Sequence, residues 1–239
     1  MLIYGINPVL EALRAGCVTS IRVSPRANDR LTAVVRLAED QGIAVRRVAA
    51  AELDRASRGS VHQGVVADVS DRTSVSVEEL VTGARGAPLI VVLDGIEDPH
   101  NVGAILRTVD AAGADGVVRQ SRHAAPLGGA TAKASAGAVS HVKVADVVNI
   151  ARALEILKDA GVWTVGLAGD AATRYDAIDF TLPTALVVGA EETGLRRLVR
   201  ERCDWVVSIP MAGHVQSLNV SVAAGIVLFE ALRQREQGP

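Results

Sequence analysis

Five polar residues, dispersed along the chain, are of the types that can hold a ligand and manage a proton. Asn101 and Arg107 stand in DPHNVGAILRT, Glu191 in GAEETG, and Ser217 and Asn219 in SIPMAGHVQSLNVSVAAGI. Amides, a guanidinium, a carboxylate and a hydroxyl supply donors and acceptors in complementary directions. Each also has a plain structural reading. Asn101 and Ser217 are natural helix N-caps. Arg107 lies among Ile105, Leu106 and Val109, where a helix arginine is commonly solvated or salt-bridged. One of Glu191 and Glu192 could serve the exposed N–H groups of a following helix, which leaves the other spare. Asn219 is a weak helix former in a first turn, which suggests a side chain facing something polar.

The elements around these residues follow a repeating pattern. LIVVLDGI from Leu89 is a continuous apolar run, as expected of a strand buried on both faces of a parallel sheet. It leads into a helix over 102–112, a strand at 116–118, a Gly-rich loop to Gly129, a small-residue helix over 130–138 and a strand at 141–144. A helix over 147–160, a strand at 162–167, a strand at 185–188, a helix over 193–202, a strand at 205–209 and a long helix from Ser217 to about Gln234 complete it. About six strands with intervening helices predict a mainly parallel, doubly wound α/β sheet. In such sheets ligands bind outside the strand ends, where the five polar residues fall.

The first 70 residues form a separate βαβα pattern. Asn7-Pro8 reads as a helix start closed by Gly16. Strands are expected near 20–23, 43–48 and 64–69, with helices over 31–41 and 50–56. The stretch 70–88, SDRTSVSVEELVTGARGAP, reads as a linker with one helical turn. The predicted organisation is a small α/β domain over 1–70, a linker over 71–87 and a larger domain over 88–239.

Composition narrows the classes. Hydrophobic residues make up 49% of 239 but aromatics only 3%, so the core must be Val, Ile, Leu and Ala. The net charge of −2 gives no global attraction to nucleic acid. The charge is uneven, however: residues 1–72 hold ten Arg (14, 22, 26, 30, 36, 46, 47, 55, 58 and 72) and no Lys against eight acids, a local +2. Cys17 and Cys203 are isolated, which favours a reducing, cytoplasmic setting over a disulfide framework. No apolar run approaches 18 residues, so no membrane span is expected. The five His lack metal-ligand spacing with each other or with the cysteines, so no metal is expected. No G-x-G-x-x-G follows the first strand of the larger domain, no P-loop occurs, and no G-x-S-x-G elbow is present.

Taken together, the order N-x-G-x-x-x-R, then G-x-E-x-x-G, then I-P-M followed by S-L-N-V-S-V-A resembles the three motifs of the SpoU/TrmH family of RNA 2′-O-ribose methyltransferases. YGINPVLEAL and HQGVVA near the start are similar to the subgroup that methylates a guanosine ribose in the peptidyl-transferase loop of 23S rRNA. The resemblance implies a SPOUT-type sheet with a C-terminal trefoil knot, a ribosomal-protein-like RNA-binding N-terminal domain, and S-adenosyl-L-methionine bound at the knot. It also implies a homodimer through the catalytic domain and C-terminal helix, with 23S rRNA or its precursor as partner. Methylation of a tRNA ribose or an rRNA adenosine, or a non-catalytic role in ribosome assembly, are the alternatives.

Carried over residue by residue, the resemblance makes Asn101, Arg107, Glu191, Ser217 and Asn219 the catalytic set. Leu167, Ala168, Gly169, Gly189, Glu191, Ile209, Met211, Ser217 and Leu218 become the cofactor-binding positions. Relatives often have Gly where this chain has Glu192, and the G-x-E frame favours Glu191 as the functional carboxylate. Arg119, Arg122 and Lys133 are candidate RNA contacts from the larger domain.

Overall fold

The computed structural model describes residues 1–25, 29–70 and 75–237. Arg26, Arg72 and the linker positions 71–74 lie outside the described residues. The chain divides into two compact units. The first is residues 1–73 with 126–141, and the second is 74–125 with 142–239.

The first unit is built on a four-stranded sheet in the order β1-β4-β2-β3, with β1 Leu2–Tyr4, β2 Val18–Val23, β3 Ala44–Arg47 and β4 Val65–Val69. β4 pairs antiparallel with both β1 and β2, and β3 runs parallel to β2. Helices α1 (Ile6–Arg14), α2 (Asp29–Asp40) and α3 (Ala50–Ala56) connect the strands. Asn7 is not the cap that the Asn-Pro pair suggests. α1 starts one residue earlier, and the Gln63 side chain takes the Ile6 N–H at 2.9 Å from across the unit.

The second unit begins with α4 (Val77–Thr82), which forms the helical turn expected in the linker and is held by a Ser76–Glu79 capping box. Its sheet has seven strands in the order β7-β6-β5-β10-β8-β11-β9. These are β5 Leu89–Asp94, β6 Gly116–Gln120, β7 Val144–Val147, β8 Trp163–Leu167, β9 Thr173–Arg174, β10 Thr184–Gly189 and β11 Trp205–Ser208. All six pairings are parallel. The two-residue β9 is too short for periodicity to reveal. Every residue of β5 and β10 is buried, which is what a central strand covered on both faces requires. One face packs α4, α7 (Ile150–Asp159) and α8 (Arg197–Arg202) through Leu80, Leu154 and Val199 onto Ile90, Val92, Ala185 and Val187. α5 (Pro99–Ala111) and α9 (Val220–Gln237) pack against each other and cover β6 and β10.

Several boundaries differ from the sequence pattern because side chains cap the helices at other positions. Asp98, not Asn101, caps α5 and accepts from the His100 and Asn101 N–H groups. α7 starts at Ile150 under an Asn149 cap, and the strand expected at 141–144 is found at Val144–Val147, so Val147 closes a strand where the pattern started a helix. The helix expected over 193–202 is helical only from Arg197, because 190–196 forms a tight loop. The small-residue helix is Gly129–Ala134 (α6) followed by a separate 3-10 turn at Ala138–Ser140. α6 belongs to the first unit, although the sequence places it between β6 and β7. Among the described residues, no helix is long and apolar enough to cross a membrane.

Candidate active site

The register of the second sheet gathers the predicted residues at one edge. Gly189, the last residue of β10, lies beside Asp94, the last of β5, so the loops that follow leave the sheet side by side. Residues after β8 and β11 emerge at the same edge.

The loop after β10 is closed tightly. The Gly194 N–H bonds the Ala190 carbonyl at 2.8 Å, and Gly194 turns the chain at φ 63°. Gly189 has no room for a side chain, since a Cβ there would lie 2.2 Å from the Gly194 carbonyl carbon. The loop is then anchored to the sheet by a pair that sequence reasoning missed. Asp94, whose side chain is fully buried, accepts the Arg196 backbone N–H at 2.8 Å and the guanidinium Nε at 2.6 Å. A buried carboxylate requires such a partner. The readable signal was an acid closing an otherwise apolar strand.

Asn219 is the hub of the polar set. Its Oδ1 accepts from the Ser221 N–H at 2.9 Å, its hydroxyl at 2.6 Å and the Val222 N–H at 3.4 Å, which caps α9. Its Nδ2 donates to Asn101 Oδ1 at 2.9 Å and to Glu191 Oε1 at 2.5 Å. Asn101 is buried in the first turn of α5, and Glu191 is exposed in the β10 loop. Three distant stretches therefore converge through one amide. The acceptor at Asn219 stabilises a helix, and the donor joins two other loops.

Two of the predicted residues take different places. Ser217 does not cap α9, which begins three residues later; it is exposed and lines the pocket described below. Arg107 is exposed on α5, and its side chain makes no hydrogen bond or ion pair with any described residue. Asn101 bonds Asn219 instead of Arg107. Glu192 is exposed in the same loop, whereas Glu191 is the carboxylate that reaches Asn219. Arg119 is ion-paired to Asp146 at 2.8 Å and donates to the Ala125 carbonyl, so its guanidinium is committed.

A pocket of about 150 Å³ opens beside this network. Leu167 ends β8 with Ala168 and Gly169 after it, Gly189 ends β10 with Glu191 after it, and Ile209, Met211, Ser217 and Leu218 lie between β11 and α9; all line it. Gln216, Val220 and Ala223, which were not among the expected cofactor-binding positions, line it as well. The walls are small or aliphatic, backbone from three strand-end loops is accessible, and one carboxylate stands at the side. That combination suits a flat, partly apolar ligand with a cationic part.

Fold and site thus define an α/β protein with a strand-end pocket bordered by an Asn–Glu–Asn network. The chain matches the model of the SpoU rRNA methylase family over residues 88–229 and the RNA 2′-O ribose methyltransferase substrate-binding model over residues 2–74. It belongs to the SpoU rRNA methylase family.

Among similar proteins is the 23S rRNA (guanosine-2′-O-)-methyltransferase RlmB of Burkholderia sp., 47% identical over 98% of this chain and 96% of that protein. The protein of the same name from Pseudomonas syringae is 45% identical over 98% and 95%. The SpoU methyltransferase AviRb of Streptomyces viridochromogenes, solved with the cofactor AdoMet, superposes with a TM-score of 0.82 at 28% identity, over 100% of this chain and 91% of that one.

Proposed function

We propose that this protein transfers the methyl group of S-adenosyl-L-methionine to the 2′-hydroxyl of a guanosine in the peptidyl-transferase loop of 23S rRNA. The observation that carries this reading is the meeting of Asn101, Glu191 and Asn219 at the side of the strand-end pocket. The names of the similar proteins support the same substrate class.

The pocket fits the cofactor. Leu167, Ile209, Met211 and Leu218 offer aliphatic surface to an adenine ring, and the 168–169 and 189–190 backbone offers polar edges. When bound, S-adenosyl-L-methionine supplies an electrophilic methyl group on a sulfonium. The protein's own task is to align a ribose hydroxyl and accept its proton. Positioning alone lowers such a barrier by several kcal/mol, within a range of roughly 7–11 for fully aligned groups.

In this reading Asn219, fixed at both ends of its amide, presents a rigid polar edge to ribose or base. Glu191 anchors that edge, and Ser217 adds a hydroxyl from the pocket wall. Arg107 binds the adjacent phosphate and stabilises a developing alkoxide. Arginine remains protonated, so a role as phosphate fork suits it better than that of base.

Arg107 acts within a homodimer. Val222 and Phe229 on α9 are each about half exposed, and their seven-residue spacing places them on one stripe of the helix that packs on α5. An apolar stripe of this kind suits a second copy of the chain. The C-terminal trefoil knot belongs to the same proposal. Its support is the return of 209–218 to a pocket already walled by 167–169 and 189–194.

The test is transfer of labelled methyl to a 23S peptidyl-transferase-loop fragment, with bulk tRNA alongside and the modified ribose mapped. Labelling of one loop guanosine supports the proposal. Labelling of tRNA alone overturns its substrate, and no transfer with the cofactor bound overturns the activity on free RNA.

A further inference from the structure

Methyl transfer to a ribose hydroxyl needs a group that takes up the hydroxyl proton. Among the described residues, Glu191 is the one ionisable side chain that lines the pocket. Ser217 and Gln216 line it too, but a neutral hydroxyl and a side-chain amide do not retain an added proton near neutral pH. Glu192 and His214, in the same two loops, are exposed and do not line it. Arg107 is a guanidinium, which is protonated already.

The two oxygens of Glu191 are in different situations. Oε1 accepts from Asn219 Nδ2 at 2.5 Å. Oε2 has no hydrogen-bond partner among the described residues, and no cation there is paired with the carboxylate. The Asn219 amide is itself held, by Asn101 at 2.9 Å on one side and by the first turn of α9 on the other. One oxygen thus fixes the carboxylate in place, and the other is left to accept. Glu191 is also exposed, so a proton taken up there can leave to water.

We propose that Glu191 is the proton acceptor of the reaction, acting through Oε2, with Asn219 as the residue that positions it. This rests on the methyl-transfer reading above and deepens it. A lone pair of the ribose 2′-oxygen forms the bond to the methyl carbon. The carbon–sulfur bond breaks and leaves its electron pair on sulfur, and the O–H proton passes to Oε2. The sulfonium charge and the carboxylate charge disappear together. The products are the methyl ether, a neutral thioether and a neutral carboxyl, which then returns its proton to solvent. The hydroxyl proton grows more acidic as the new bond draws electrons from oxygen, so a carboxylate is base enough. Negative charge that remains on oxygen falls to Arg107.

The test uses the full chain and a 23S peptidyl-transferase-loop fragment, with S-adenosyl-L-methionine and RNA both saturating. If wild type transfers no methyl to any RNA, the proposed function fails before this role is tested. Given wild-type transfer, Glu191→Gln is the decisive variant, because the amide oxygen still accepts from Asn219 while the basic oxygen is gone. Its kcat should fall about 10²- to 10⁴-fold, the usual worth of a general base. Its melting temperature should match wild type. Calorimetry should find the affinity for S-adenosylhomocysteine, whose sulfur is uncharged, unchanged. Formate should restore turnover to Glu191→Ala, where the space is open, and not to Glu191→Gln. A loss confined to KM, with wild-type kcat in Glu191→Gln, would overturn the proposal, since the carboxylate would then serve binding alone. So would a fall in S-adenosylhomocysteine affinity as large as the fall in kcat, or an alanine variant that formate leaves unchanged.

Discussion

Asn219 Nδ2 lies 2.9 Å from Asn101 Oδ1, so the residue that caps the last helix also fixes the first turn of α5. The same nitrogen reaches Glu191 in the β10 loop. The side chain's two ends do separate work, and substitutions can separate them. Asn219→Ala removes both and should cost about 1 kcal/mol of stability through the lost cap. Methyl transfer should fall on the order of 10²-fold through the lost donor. Asn219→Asp keeps the capping oxygen but sets a carboxylate against Glu191. It should unfold close to wild type in urea while turnover falls as far as in the alanine variant. Wild-type turnover in Asn219→Asp would assign the residue a capping role alone.

Arg107 presents the opposite case, an exposed side chain without a protein partner. Removing it should leave stability within about 0.5 kcal/mol. Arg107→Lys keeps the charge but loses the planar fork that matches a phosphate. Its turnover is expected to drop on the order of 10²-fold with the melting temperature unchanged. Near-normal turnover in Arg107→Lys sinks the phosphate-fork role.

The parallel sheet was legible because its signal is strong: the run from Leu89 to Asp94 has no polar interruption before the closing acid, and β10 repeats the pattern. Helix starts were less legible, since they depend on which side chain captures the free N–H groups. Asp98 outcompetes Asn101 for α5, and Asn219 outcompetes Ser217 for α9. Both displaced residues face the site or its pocket instead. The membership of 126–141 in the first unit was not legible at all. It depends on contacts such as His141 with Glu11 at 3.2 Å, which span 130 positions and leave no local periodicity. The Asp94–Arg196 pair likewise joins residues 102 positions apart.

The Gly189 position tests how rigid the pocket wall is. A Cβ there would meet the Gly194 carbonyl carbon at 2.2 Å, which is backbone and cannot rotate away. Gly189→Ala should cost about 3 kcal/mol, at the upper end of ordinary overpacking. It should also push the 190–194 turn off Glu191's present place. Titration calorimetry should find S-adenosyl-L-methionine affinity reduced at least tenfold in whatever fraction remains folded. Unaltered affinity and melting would mean that the loop yields more easily than its hydrogen bonds to Ala190 and Asp94 allow.

Arg196→Ala tests the anchor directly. It leaves Asp94 buried with, among the described residues, only the backbone N–H of residue 196 as partner. Losing a buried carboxylate's partner costs about 3–5 kcal/mol, and the half-exposed guanidinium here puts the expected loss nearer 2. Chemical denaturation measures it, and a loss below about 0.5 kcal/mol would show that solvent replaces the guanidinium without penalty.

Acid stability should report on Asp204, which joins the start of β11 to β8. Burial opposes its ionisation, but the Lys158 ammonium at 2.7 Å and the Thr164 N–H and hydroxyl at 2.9 and 2.7 Å outweigh it. Its carboxyl is thereby held below the ordinary value of 3.8. A folded-state pKa below the unfolded one means that the unfolded chain takes up the proton first as pH falls. The stabilisation is therefore complete above the ordinary carboxylate range and is lost as pH drops toward and through the folded value. Asp204→Asn should cost about 1.5–3 kcal/mol at pH 7, as expected for hydrogen bonds to a charged group. The gap between wild type and variant in urea unfolding should narrow between about pH 5 and pH 3. A gap that stays constant over that interval would mean that the Lys158 and Thr164 contacts contribute through shape and packing, with no part carried by the charge.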